Sequence, residues 1–454
     1  MAESSYQAAV ARIYALGHEL AHDATRKFDL AHMRVLLGAL NNPERRFPSV
    51  LIAGTNGKGS TAATLASILV ACGVRTGLYT SPHLVRINER IRINGKKIAD
   101  DELALLHDVV DRTAERLVEE GELPWHPSFF EMLTAIAFEY FVQRKIELAV
   151  LEVGMGGRLD ATNVVEPRVS VITDISLDHQ KFLGHTVSEI AREKAGIIRP
   201  NGAVVTLPQQ PEANDTIGKR ILELDAEVVT AVPYVPPVSP GSTEYLASTT
   251  QRKNSLPISC YPLQVMGKQI VVETALVGRH QLRNVALAIA TAEQLSKEGF
   301  PITPEGIERG IRETRWPGRF QVVLSRSGAP EYVFDVAHNP AGAWALRSTL
   351  SAYYEDRPLT FIFGAMRDKA IREMAEILFP LAERVIATRA DNPRSATVDE
   401  IQEAASRVST TIEPADGVSD ALAQVEQLTP PPVVVITGSI YIVGEALREL
   451  GVKV

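Results

Sequence analysis

The residues best suited to chemistry lie in Gly54-Thr-Asn-Gly-Lys-Gly-Ser60, where a short apolar run meets a helical pattern. Gly54, Gly57 and Gly59 let main-chain N–H groups turn toward phosphate oxygens. Lys58 adds a point charge, and the helix that follows adds the dipole of its N-terminus. The pattern G-x-x-x-x-G-K-[ST] is not met: Ile52 holds the first glycine position, and Gly59 after the lysine displaces Ser60 by one. The mechanics survive that displacement. A turn serving only packing is the plainer alternative, but strand, glycine-rich turn and helix in that order favour phosphate. Phosphates of this kind come with magnesium, which takes hard oxygen ligands from few side chains. Ser81, Glu152 and Asp178-His179 each stand where a strand pattern ends, and ligands of open α/β sheets collect at the carboxyl ends of strands. Alone, Glu152 reads as a surface charge and His179 as an ordinary hydrogen-bonding histidine; together they favour a metal–nucleotide centre. A second glycine-rich turn, Gly154 to Asn163, offers Arg158 and Asp160 as oriented polar contacts. Asp335 to Pro340 and Thr437 to Tyr441 also end strand patterns, where turn chemistry is the plainer reading.

Positioning these groups needs a sheet. Ser49 to Ala53, Arg75 to Tyr79, Glu147 to Val153, Arg168 to Thr173 and Ala203 to Leu207 read as buried strands. Helical spacing separates most of them, at Thr61 to Ala71, Asp100 to Glu120 and Phe129 to Val142, and Thr186 with Glu189 forms a capping box for a helix through Lys194. The proline-rich stretch 232–259 reads as a loop or small excursion, and Arg279 to Glu298 is helical again. A second alternating series has strands at Tyr332 to Val336, Thr360 to Phe363, Val385 to Thr388 and Val433 to Ile436, with helices at Ala341 to Tyr353, Arg367 to Phe379 and Val398 to Val408. The expected fold is α/β: an N-terminal P-loop-type domain with a mainly parallel sheet, 1–313, and a smaller C-terminal Rossmann-like α/β domain, 314–454.

Composition narrows the setting. The 454 residues are 45% apolar and 22% charged, with a net charge of −8, which gives no electrostatic reason to expect nucleic acid or an anionic membrane as partner. Cys72 and Cys260 lack CxxC spacing, so neither a disulfide scaffold nor a zinc knuckle is indicated. Met1 to Leu20 does not read as a secretory signal, and no run approaches the roughly 20 apolar residues that span a bilayer. A cytoplasmic protein is expected.

Seven stretches in order resemble one family: Gly54–Ser60, Thr80-Ser-Pro-His-Leu84, Leu151 to Asn163, Asp174-Ile-Ser-Leu-Asp-His179, Arg192-Glu-Lys-Ala-Gly196, Trp316-Pro-Gly-Arg-Phe-Gln321 and Phe334–Pro340. The chain resembles folylpolyglutamate synthase/dihydrofolate synthase, a branch of the Mur ligase superfamily, from Asp29 to Glu445. The resemblance implies ATP-dependent ligation of L-glutamate to a reduced folate and to dihydropteroate, through an acyl phosphate. It implies that Gly54, Thr55, Asn56, Gly57, Lys58, Gly59, Ser60, Asn284, Arg319 and Asp335 bind ATP, and that Ser81, Glu152 and His179 hold magnesium. Lys194 matches a carbamylated lysine that serves a second magnesium, although sequence alone favours a solvated helix charge there. The pterin falls to Asp29, Leu30, Phe129, Phe130, Glu131, Leu159, Asp160 and Ala161, and glutamate to Asp335, His338, Ser439 and Tyr441. Lys58, Lys194 and His338 are the implied catalytic groups, and a monomer is expected. Another Mur-type ligase is the nearest alternative, but too little chain precedes Gly54 for its nucleotide-sugar domain. A non-catalytic P-loop ATP-binding module would lack the Trp316–Gln321 and Asp335–Pro340 motifs, and a kinase would release a stable phosphorylated product.

Overall fold

The computed structural model describes residues 2–17, 30–237, 256–324 and 329–454. The chain divides into two compact units, one of 1–235, 264–270 and 283–313, the other of 236–263, 271–282 and 314–454.

In the first unit β1 is Ser49–Ala53, β2 Thr76–Tyr79, β3 Ile91–Ile93, β4 Lys96–Lys97, β5 Leu148–Glu152, β6 Val169–Ile172, β7 Ala203–Thr206 and β8 Glu227–Thr230. Among the described residues they form one sheet in the order β4-β3-β2-β5-β1-β6-β7-β8, parallel from β2 to β8, with β3 and β4 antiparallel at one edge. Every residue of β1 and β5 is buried, as a strand covered on both faces requires. Val50, Leu51 and Ile52 are wholly inside, each worth ~1.5–3 kcal/mol of transfer free energy. Register then fixes the chemistry. Ile52 pairs with Glu152 and Tyr79 with Leu151, so Gly54, Ser81, Glu152 and the loop after β6 emerge side by side. Only glycine lets β1 and β6 end this close, because a Cβ on Gly54 would lie 1.7 Å from Thr173 Oγ1.

Next come β9 Ser259–Val265 and β10 Lys268–Thr274, a two-stranded sheet joined by Met266 and Gly267 at φ 50° and 77°. The expected excursion over 232–259 is thus bounded by a 3₁₀ turn at Val232–Tyr234 and by β9, while 238–255 lie outside the described residues. The second unit contains β11 Gln321–Val323, β12 Glu331–Phe334, β13 Leu359–Phe363, β14 Ala382–Ala387, β15 Ile412–Pro414 and β16 Val433–Thr437. Their order is β11-β12-β16-β13-β14-β15, parallel except for β11. The helix expected from Arg367 starts only at Ile371, because Arg367 N–H donates to the Arg394 carbonyl and Lys369 N–H to Met366, closing a turn first. Among the described residues no helix is long and apolar enough to cross a membrane.

Candidate functional site

The loop after β1 opens the helix Lys58–Ala71, with Gly57 as its N-cap at φ 88°. A Cβ on Gly57 would meet Asn284 Oδ1 at 2.2 Å, so Asn284 and the loop share one spot. Two of the expected phosphate-facing amides are already engaged: Thr55 and Asn56 N–H donate to the Asp174 carbonyl at 2.9 and 3.1 Å. Thr55 Oγ1 donates to the Ser176 carbonyl and accepts the Ser176 N–H, and Asn56 Nδ2 donates to Ser176 Oγ. The first half of the loop is therefore stapled to the turn after β6. The first turn of the helix supplies the amides that have no acceptor within the helix, at Lys58, Gly59 and Ser60. Lys58 Nζ donates to the Thr55 carbonyl at 3.2 Å, across the mouth of the loop. Gly57→Ala, strained at positive φ and pressed on Asn284, should cost about 1–3 kcal/mol and raise KM for ATP, checked by thermal melts and steady-state kinetics.

Lys194 is buried, not solvated. The helix Val187–Ala195, capped by Thr186 and Glu189, turns Ile190, Ala191, Lys194 and Ala195 inward on one face. Its Nζ donates to the Gly54 carbonyl at 2.7 Å. Burial, then repulsion from Lys58, brings its pKa down to about 7, against the opposing pull of Asp178 and Asp160. Glu152 is also buried, and its Oε2 accepts the Ser81 N–H at 3.1 Å. His179 stands at φ 49°, its N–H donating to Asp178 Oδ1 at 2.8 Å. Among the described residues no three His, Cys, Asp or Glu side chains are grouped to hold a metal ion; the expected set has a Ser81 hydroxyl in one of those places. A hydroxyl and a carboxylate held together by the Ser81–Glu152 bond are the hard donors that suit magnesium.

Of the expected pterin positions, Phe130 and Asp160 are brought together around Gly154, where a Cβ would meet Phe130 Cζ at 2.7 Å and Asp160 Oδ2 at 3.2 Å. Asp160 caps the turn Ala161–Val164, accepting from Met155 N–H, Thr162 N–H and Thr162 Oγ1, while burial pushes its pKa up. Burial also acts to raise Glu131, but hydrogen bonds from His32 and Ser128 outweigh it and hold the carboxyl below its usual range. Phe129 belongs to the core, against Tyr14 and under the Arg90 guanidinium at 5.1 Å. Leu159 is half-buried and Leu30 opens the helix Leu30–Ala39, while Asp29 lies outside the described residues.

In the second unit β12 and β16 are neighbours, so the turns that follow them adjoin, and Gly438 N–H donates to the Ala337 carbonyl at 3.1 Å. Burial raises the Asp335 pKa against the pull of Arg319, and its carboxylate accepts the N–H groups of Phe320 and Ala337, both at 2.9 Å. Arg319 Nη1 donates to the Gly318 carbonyl. His338 Nδ1 lies 2.9 Å from the Val336 carbonyl, which can only accept, so Nδ1 is the donor in that contact. Ser439 Oγ caps the helix Ile440–Glu449, which carries Tyr441 on its first turn.

Residues 131–292 match the Mur ligase middle domain and 318–440 the Mur ligase glutamate ligase domain. The dihydrofolate synthase/folylpolyglutamate synthase of Bacillus subtilis is 33% identical over 432 residues, spanning 93% of this chain and 94% of that one. This chain belongs to the folylpolyglutamate synthase/dihydrofolate synthase family. As a member, it is an ATP-dependent ligase. The Mycobacterium tuberculosis folylpolyglutamate synthase complexed with ADP superposes with a TM-score of 0.83 at 29% identity, covering 99% of each chain. A structure described as an FPGS–AMPPCP–folate complex gives 0.81 at 32% identity, covering 98% of this chain and 99% of that one. Sequence reasoning about the family site missed Asp174, Ser176 and Arg283. The first two sit inside a quoted motif and could have been found at the end of β6; Arg283 carries no local signal.

Proposed function

We propose that this ligase joins L-glutamate to the terminal carboxylate of a reduced folate, and also to dihydropteroate, by way of an acyl phosphate. The observation that carries this reading is Lys194 Nζ on the Gly54 carbonyl, with Lys58, Asp178 and Asp160 as its charged neighbours. An anion-binding helix terminus, a lysine able to be neutral and buried carboxylates thus meet at the end of β1. The relative that carries both activities in its name and the solved complex with an ATP analogue and folate support the choice of substrates.

Oxide is a poor leaving group, so a carboxylate must be activated before an amine can displace it. The amides of Gly57 to Ser60 and the Lys58 ammonium would grip the ATP phosphates and balance charge on the γ-phosphoryl group as it passes to the substrate carboxylate, releasing ADP. Ser81, Glu152 and His179 would hold one magnesium and Lys194 a second, supplying charge neutralisation on the phosphates. Neutral Lys194 would add CO2 to give a carbamate and a proton, turning a cation into an anionic ligand. Phe130, Leu159, Asp160, Ala161 and Leu30 would line the pterin pocket, with Asp29, Phe129 and Glu131 supporting it. Asn284, Arg319 and Asp335 would contact ATP. Asp335, His338, Ser439 and Tyr441 would hold glutamate. His338 Nε2 would take the proton of its ammonium, the amine would attack the acyl carbon, and inorganic phosphate would leave. The chain would act as a cytoplasmic monomer, with residues 1–313 serving ATP and pterin and 314–454 serving glutamate.

The test is purified protein with MgATP and L-glutamate, given tetrahydrofolate and dihydropteroate in separate reactions. Mass spectrometry should find each substrate extended by one glutamyl residue, with one ADP and one phosphate per bond. ADP release without a glutamylated product from either substrate would sink the reading.

A further inference from the structure

The ion pair Arg283–Asp174 stands outside the groups that the proposed reaction uses, yet it touches the phosphate loop directly. Arg283 Nη2 donates to Asp174 Oδ1 at 2.6 Å, and its Nε lies 3.2 Å from both carboxylate oxygens. The same Nη2 donates to the Pro208 carbonyl at 3.0 Å, so the guanidinium is tied to the turns after β6 and β7 together. The Asp174 carbonyl is the acceptor for Thr55 and Asn56 N–H, and Asn284, the residue after Arg283, lies against Gly57. Asp174 is therefore an anion at the edge of a loop built for anions. Left unpaired it would repel a triphosphate, and its main chain would lose the anchor that sets Thr55 and Asn56. A forked guanidinium on a carboxylate answers both problems, through charge and through geometry.

We infer that Arg283 is a positioning residue for the nucleotide: it cancels the Asp174 charge and fixes the carbonyl on which the phosphate loop is stapled. The inference rests on the reading of Gly54–Ser60 as the ATP-phosphate loop. Arg283→Ala should raise KM for MgATP about five- to tenfold and leave KM for L-glutamate within about twofold, the scale expected for a half-exposed pair plus one uncompensated charge. Arg283→Lys, which keeps the charge and loses the fork, should fall between. The deciding variant is Arg283→Ala/Asp174→Asn: with the anion gone, KM for MgATP should return toward the wild-type value. A packing role would instead make the two losses add. Lys58→Ala, read by calorimetric titration with ADP, separates a failure of the ion pair from a failure of the phosphate loop. If Lys58→Ala weakens ADP binding while Arg283→Ala keeps a wild-type KM for MgATP, or the double variant is worse than the single, the inference is overturned and the loop reading stands. If Lys58→Ala binds ADP as wild type does, both fall together.

Discussion

Lys58→Ala should lower turnover about a thousandfold, the loss expected when a preorganised donor to developing charge is removed. The lysine is the first residue of the helix Lys58–Ala71, and its ammonium reaches back to the Thr55 carbonyl. Alanine is at home in a helix, so the variant should fold and melt as wild type does. The deficit should appear in kcat and in KM for ATP, with KM for glutamate unchanged. Lys58→Arg should recover little, since a planar fork cannot replace a compact ammonium in a narrow turn. A coupled assay for ADP release measures all three quantities. Full turnover in Lys58→Ala would remove the loop from the chemistry. The variant has a second consequence, because Lys58 is the positive neighbour that helps burial depress the pKa of Lys194. Without it, Lys194 should hold its proton to a higher pH.

The legible parts of this protein are those whose signal is local. The strand β1, its glycine turn and its helix form one continuous pattern, because burial on both faces favours the apolar run Val50 to Ala53 and the close approach to Thr173 demands glycine. Thr186 and Glu189 likewise announce their helix within four residues. The edge strands β4 and β8, and β3 beside β4, are short and partly exposed, so no apolar run marks them. The hairpin β9–β10 was readable from Met266-Gly267 between alternating residues, but the prolines before it point toward a loop. Lys194 reads as solvated until its face is known. Spacing from Ile190 and Ala191 places it on the apolar side, yet nothing in the spacing says that the Gly54 carbonyl waits there. Arg283 and Asp174 lie 109 positions apart, and such a pair leaves no periodic trace.

Lys194→Met should cut ligation about a hundredfold or more, because it keeps the apolar stem of the side chain and removes the terminal nitrogen. Burial, reinforced by Lys58, sets the amine at about 7 in the folded chain, against 10.5 when exposed. Near pH 7 about half of the population is then neutral and able to add CO2, whereas an exposed lysine is almost wholly protonated. The same shift makes stability depend on pH, with a definite sign. Below about pH 7 both folded and unfolded chains carry the proton, and the cost of a buried cation is fully present. Between 7 and 10.5 the unfolded chain alone keeps it, so stability rises with pH across that window. In CO2-free buffer the wild-type melting temperature should climb more steeply from pH 7 to 9 than that of Lys194→Met. Supplying 13C-bicarbonate should then give a carbamate resonance in wild type that strengthens as pH passes 7 and is absent from the variant. Equal pH slopes would mean that Lys194 is charged in the folded protein, and a charged amine cannot form the carbamate. The two measurements are therefore linked: burying this lysine weakens the fold at low pH by the same desolvation that makes its nitrogen reactive at neutral pH.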